Sequence, residues 1–226
     1  ADQTEAADGA FGDRAEVSLD FNCGDLSITT AAGNAWRVDA GYAGSRAPRV
    51  TSNAGRLSVE APDGGFPGFD RGRQDWSVVL PQDVTLDMEI DANAASSTID
   101  LADADLSELE IDANAGSVVL SLGGASVRGL SIDGNAGSVS ISTDASTALD
   151  GSASINAGSL ALCVPDGVGI AITLTDTNIT FSHNLDSSGL QRTGDTWRRG
   201  DGSPAISLRI EGNAASFTLN PEDGCS

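Results

Sequence analysis

Apolar residues recur two apart in short runs along the chain. Ala15, Val17, Leu19 and Phe21 form one run, Val84, Leu86, Met88 and Ile90 another, and Val139 and Ile141 a third, mostly with smaller or polar residues between them. That alternation predicts strands with one face buried. In the middle of the chain the strands come in pairs on either side of an asparagine, as in residues 109–113 and 117–122 around Asn114.

Four tetrads carry the corners: Asn93-Ala94-Ala95-Ser96, Asn114-Ala115-Gly116-Ser117, Asn135-Ala136-Gly137-Ser138 and Asn156-Ala157-Gly158-Ser159, each 21 residues after the last. A period of about 20 to 50 residues indicates stacked units. Aligned on Asn93, Asn114, Asn135 and Asn156, the copies give rows: Ile90, Ile111 and Ile132 in one, Ile99, Leu120, Ile141 and Leu162 in another. Asn tolerates the left-handed backbone better than any residue but Gly, and an adjacent Ala-Gly leaves room for a sharp bend. The fold class expected is all-β, a single-domain parallel β-solenoid with one coil per 21 residues. Successive coils lie about 4.8 Å apart and the stacked Asn amides hydrogen-bond along the axis.

The rest of the chain is read against that period. Residues 1–13 are polar and without sustained pattern, a flexible N-terminal arm. Asn22-Cys23-Gly24 opens the first coil, and Asn53-Ala54-Gly55 repeats it. The solenoid runs over residues 14–220, broken by irregular loops at 61–75 and 183–204. Asn178 continues the stack, Asn213 closes it, and residues 221–226 are a tail.

Composition narrows the function classes. Aromatic residues make up only 4% of the chain, which suits a narrow solenoid interior. The net charge is −21, from 33 acidic residues against 12 arginines and no lysine. Such a surface repels nucleic acid and anionic lipid. Two explanations stand for it: solubility of an extended exported protein, or a halophilic surface whose repulsion is screened in molar salt. No apolar stretch is long enough to span a membrane. The polar start, without initiator Met or leader, reads as a processed region and gives an extracellular or cell-surface expectation.

The order of these segments resembles a known family. Residues 15–28, Trp36-Arg37-Val38, Arg56-Leu57-Ser58-Val59, residues 76–81, the Asn-Ala coils, Pro165-Asp166-Gly167 and the closing Trp197 and Leu208-Arg209-Ile210 are similar to the bacterial toast-rack domain and the related putative-adhesin repeat domain. The resemblance covers roughly residues 14–220. It implies a β-solenoid outside the membrane, as in phage-shock-protein-C-like and Lia-type envelope proteins, acting as a platform for adhesion or assembly. It implies no catalytic residues. The regular Asn-Ala-Gly corners and the three cysteines depart from that pattern.

Candidate chemistry is sparse. Asp91, Asp112 and Asp133 share one row, so a cation such as calcium would relieve three stacked carboxylates; the alternative is a ladder screened by solvent. No other cofactor is expected. Cys23 reads as facing inward. Cys225, on the tail, either folds back to form a disulfide with Cys163 or stays unpaired, and an odd thiol also permits a bond between subunits. His183 stands alone, without the partners of a metal or nucleophilic site. Arg71, Arg73 and Trp76 in the first loop, with Arg192, Trp197, Arg198 and Arg199 in the second, combine the residue types favoured at interfaces, or else cap the core. Asn178-Ile179-Thr180 is a glycosylation acceptor sequence within an expected strand.

The function expected is non-catalytic: an exported structural or assembly module at the cell surface, adhering or associating with itself or with other envelope proteins. An uncapped end coil would template a filament. The alternative is a ligand-sensing or polysaccharide-binding ectodomain.

Overall fold

The computed structural model describes residues 3–43, 46–62, 73–178 and 180–225. The alternating runs become strands. They are β1 (Gln3–Ala10), β2 (Arg14–Phe21), β3 (Gly24–Ala31), β4 (Ala35–Tyr42), β5 (Arg49–Asn53), β6 (Arg56–Glu60) and β7 (Gln74–Pro81). The regular middle holds β8 (Thr85–Ala92), β9 (Ala95–Asp100), β10 (Asp105–Ala113), β11 (Gly116–Ser121), β12 (Ser126–Gly134) and β13 (Gly137–Ser142). Last come β14 (Ala148–Cys163), β15 (Ile170–Thr177), β16 (Ser182–His183), β17 (Gln191–Thr193), β18 (Thr196–Arg199) and β19 (Ile206–Leu219). Among the described residues the one helical segment is a 3-10 turn at Leu185–Ser187. The chain is an all-β single domain in which the strands belong to one hydrogen-bonded sheet.

Before the corner, β8, β10, β12 and the first half of β14 pair in parallel, placing Ile90, Ile111, Ile132 and Ala153 side by side. Beyond it, β9, β11, β13 and the second half of β14 do the same with Ile99, Leu120, Ile141 and Leu162. The corner asparagines form a column in the order Asn22, Asn93, Asn114, Asn135, Asn156, Asn213, Asn178. Each Nδ2 donates to the preceding Oδ1 at 2.5 to 3.5 Å. Beside the column, Gly116, Gly137 and Gly158 have φ between +123° and +142°. A Cβ on Gly137 would lie 2.2 Å from the Gly116 carbonyl oxygen, and one on Gly158 2.0 Å from that of Gly137. Glycine there serves the layer beneath as well as the bend.

Order in space departs from order in sequence at both ends. β2 pairs with β6 on one side and β8 on the other, and β3 lies likewise between β7 and β9. β19 inserts between β14 and β15. Asn178 therefore ends the column and Asn213 lies inside it, because the last strand turns back into a gap left between earlier ones. Asn53 is not in the column: its tetrad is the turn of the antiparallel β5–β6 hairpin, with the Gly55 N–H donating to Asn53 Oδ1 at 2.9 Å.

Two segments expected to be irregular are built into the sheet. The supposed N-terminal arm is strand β1, antiparallel to β4, which is itself antiparallel to β7. Gly9 makes this possible, since a Cβ there would lie 2.8 Å from the Trp36 ring, and Phe11 then stacks on Trp36 at 5.8 Å. In the stretch 183–204, β18 lies antiparallel on β15 and β17 on β18. Residues 63–72 of the first loop lie outside the described residues. The tail is docked too: just before it the Val164 N–H donates to Asn220 Oδ1 at 2.8 Å, and within it Cys225 is buried. The outer layers are thus covered by antiparallel strands, apart from the two-residue β16, rather than left bare.

Inner side chains alternate in size along the axis. Ile155 fills the space above Gly134, where a Cβ would meet its Cδ1 at 2.8 Å, and the Phe181 ring fills that of Gly212. Among the described residues Trp36 Nε1, Trp76 Nε1, Gln74 Oε1 and Ser97 Oγ are buried without a hydrogen-bond partner. Ser97 sits 1% exposed between Leu26 and Val118, and its Oγ has no hydrogen-bond partner. An unpaired buried hydroxyl costs about 1–3 kcal/mol, so Ser97→Val is expected to raise the calorimetric Tm by roughly 2–5 °C. Gly137→Ala should lower it by roughly 4–8 °C, the scale of about 2 kcal/mol for a strained backbone and a blocked carbonyl.

Candidate functional site

The stack gives the body two outer surfaces of opposite chemistry. On the side of β8, β10 and β12 the alternation points Asp91, Asp112 and Asp133 outward in one row, as expected, with Glu89 and Glu110 beside them. Asp20 on β2 pairs with Asp91 and lengthens the row. Sequence reasoning missed it, because nothing in the 21-residue count sets β2 next to β8. Among the described residues no group of three or more Asp, Glu, His or Cys is placed to hold a metal ion. Ion pairs flank the acids, Arg56 to Glu16 at 3.0 Å and Arg128 to Asp105 at 2.7 Å.

The opposite surface is hydroxylated. Ser96, Ser117, Ser138, Ser159 and Ser216 align across β9, β11, β13 and the second halves of β14 and β19. A second row holds Thr98, Val119, Ser140, Ala161 and Thr218. Over these five layers Asp100 is the one outward charge among the described residues, and it accepts from the Ala102 N–H at 3.2 Å. This surface also escaped the sequence reading. Its signal was there, in the third and fifth positions after each corner asparagine.

The residues expected at an interface are mostly consumed internally. Trp76 is fully buried, its ring edge-on to Phe21 at 5.0 Å, and so belongs to the core. Trp197 is 2% exposed; its Nε1 donates to Asp186 at 3.0 Å, with the Arg192 guanidinium 4.5 Å above the ring and His183 edge-on at 5.2 Å. Both tryptophans carry apolar area too large to leave in water. Arg199 donates to the carbonyls of Val168 and Pro165 at 2.9 and 2.8 Å. Arg73 pairs with Asp25, and Arg198 is exposed with one bond to the Gly202 carbonyl. Arg71 lies outside the described residues.

Cys163 and Cys225 form a disulfide with a Cα–Cα distance of 5.9 Å. Cys23 is a free thiol, half-buried rather than inward, because the row it shares with Ala94 and Ala115 faces out at the corner. Asn178 lies just past β15, not within a strand, where its Oδ1 accepts from Thr180 Oγ1 at 2.7 Å and its Nδ2 donates to Asn213 at 3.4 Å.

Residues 3–142 match the model of the N-terminal domain of toast_rack. The chain belongs to the toast-rack family. The toast-rack match ends with β13, and a solved structure carries the likeness further. A protein from Clostridium sporogenes, described as a putative cell adhesion protein, superposes with a TM-score of 0.63 at 14% identity, covering 96% of this chain and 99% of its own. At that identity the likeness is one of fold. A putative adhesin from Bacteroides fragilis aligns over 97% of this chain and 98% of its own, with a TM-score of 0.33 and 11% identity. No curated protein matches the chain.

The acidic row is the electrostatically loaded part of this toast-rack domain. Burial first, then the neighbouring Asp91 and Asp133, pushes the Asp112 carboxyl above its ordinary 3.8. Burial and Glu89 do the same to Asp91, and burial with Asp112 to Glu110. A carboxyl raised in the folded state takes up a proton that the unfolded chain does not, so stability rises as pH falls through the raised value towards 3.8. Asp144 runs the other way: the Gly124 N–H and the Ser146 and Thr147 groups hold it well below the carboxylate range, and its contribution is lost only in stronger acid. Thermal stability is therefore expected to increase as the pH falls from neutral towards the ordinary carboxylate values and to decrease again in stronger acid. Asp112→Asn should raise Tm at pH 7 by roughly 1–3 °C after solvent screening, and should flatten that rise.

Proposed function

We propose that the chain is a non-catalytic, exported scaffold at the cell surface: a parallel β-solenoid of 21-residue coils whose outer ladders make adhesive or assembly contacts. The reading rests on those ladders. Identical side chains repeated in register along a rigid body suit contact with an extended partner at many points. The disulfide favours an oxidising compartment, and the description of the Clostridium sporogenes protein points the same way. The net charge of −21 argues against nucleic acid and anionic lipid as partners. No helix among the described residues is long and apolar enough to cross a membrane. His183 is occupied as a packing residue, with the Leu185 N–H donating to its Nδ1 at 3.3 Å.

End-to-end filament growth is the less favoured form of assembly, since antiparallel β4, β1 and β5 lie over one end and β18 and β17 over the other except at the two-residue β16. A polysaccharide-binding ectodomain is the weaker alternative. Trp36, Trp76 and Trp197 are all buried and offer no stacking platform for sugar rings. An antibody to the chain is expected to label intact cells of its source, and beads coated with the purified chain to adhere to one another or to those cells. Labelling that needs permeabilised cells, together with beads that stay dispersed, would overturn the reading.

A further inference from the structure

We propose that the hydroxylated face is a homodimer interface, closing on the same face of a second copy about a two-fold axis. This rests on the scaffold reading above and names its partner. Charge selects the surface. The chain carries −21, yet only Asp100 is charged across five layers of that face among the described residues. Bringing two copies together on the other side would oppose Asp91, Asp112 and Asp133 to themselves. Apposing the hydroxylated faces instead leaves the acidic rows on the two outer sides, roughly 30 Å apart, which is several Debye lengths in physiological salt.

Shape and bonding suit a second copy. Ser117, Ser138, Val119 and Ser140 are short side chains in straight rows at the strand spacing, so the ridges of one copy fit the grooves of the other. Each serine both donates and accepts, and pairs across the contact without leaving a buried group unmatched. Over the five layers from β9 to β19 the face measures roughly 24 by 20 Å, about 480 Å² per copy and about 960 Å² for the pair, below the size of a stable specific contact. A weak, concentration-dependent dimer follows. An uncharged glycan fits less well, since no aromatic side chain lies in these rows. A contact centred on the five layers puts the two-fold axis at β13, near Ser140.

Sedimentation velocity on the full chain tests this. Wild type is expected to shift from monomer to dimer over roughly the micromolar to 100 µM range, and molar salt to strengthen the dimer by screening the remaining repulsion. Ser140→Arg buries a charge at the axis and should weaken the dimer at least about tenfold with an unchanged Tm, whereas Glu110→Gln on the opposite face leaves it intact. In a Cys23→Ser background, Ser140→Cys should give an oxidised covalent dimer on a non-reducing gel, because only a two-fold contact sets residue 140 against itself. A chain that stays monomeric at 100 µM in low and molar salt overturns the proposal, as does a dimer untouched by Ser140→Arg. If that monomer still makes beads adhere, the scaffold reading survives without this partner; inert beads sink both. Retention of a monomeric chain on insoluble polysaccharide, lost in Ser140→Arg, replaces the second copy with a glycan and overturns the dimer.

Discussion

The close approach of one layer's backbone to the next at the asparagine corner is what the rest of the structure depends on. A carbonyl oxygen occupies the place where Gly137 or Gly158 would carry a Cβ, and the amide column beside it ties each layer to its neighbour. Together these lock the register, and a locked register sets like residues on like. Inside, that forces small beside large, as with Gly134 and Ile155. Outside, it makes every choice of residue a choice about self-contact. Serine tolerates a serine neighbour and aspartate does not, so the constraint that orders the core also loads the acidic row.

The inserted strands complete this logic at the ends. Because β2 and β3 lie between two layers, as does β19, the first and last strands of the parallel stack are interior, and β1, β5, β16 and β17 make the edges. β19 pairs with residues some 57 positions earlier in β14 as well as with β15, so its docking is a long-range step whose loop-closure cost is met only when the rest of the sheet exists. The Asn220 bonds to Val164 and the Cys163–Cys225 disulfide then hold the end of that strand in place.

What was legible in the sequence was local or periodic. Alternation marked the strands, the period marked the parallel pairing and the column, and a cysteine on the tail within reach of Cys163 marked a pairing that the structure contains. The order of layers was not legible. Adjacency of β2 to β6 and to β8 is written in the same alternating letters, and only the pairing partners distinguish them. Asn53 repeats the corner's letters yet turns a hairpin, because Asn-x-Gly serves either bend. β1 is polar and lacks strand character of its own; its conformation comes from β4 and from the room that Gly9 leaves for Trp36. Arginine beside tryptophan reads alike at an interface and in a cap, and burial of Trp197 beneath Arg192 decides between them.

The difference between the two outer surfaces is a choice made at fixed positions within one repeat. Two residues before the corner the chain places aspartate in three successive layers; three and five residues after it, serine, threonine, valine and alanine. Both positions are equally solvent-facing, so burial does not account for the contrast. Burial first, and neighbouring acids after it, push the Asp91, Asp112 and Glu110 carboxyls up, so the charged row raises the energy of the folded state. Solubility alone would be served as well by alternating signs, which would cost less. A row of one sign repels its own copy and any acidic neighbour over its whole length, leaving the neutral face as the direction of approach with the lowest barrier. The acidic row therefore directs contact to the face that lacks it.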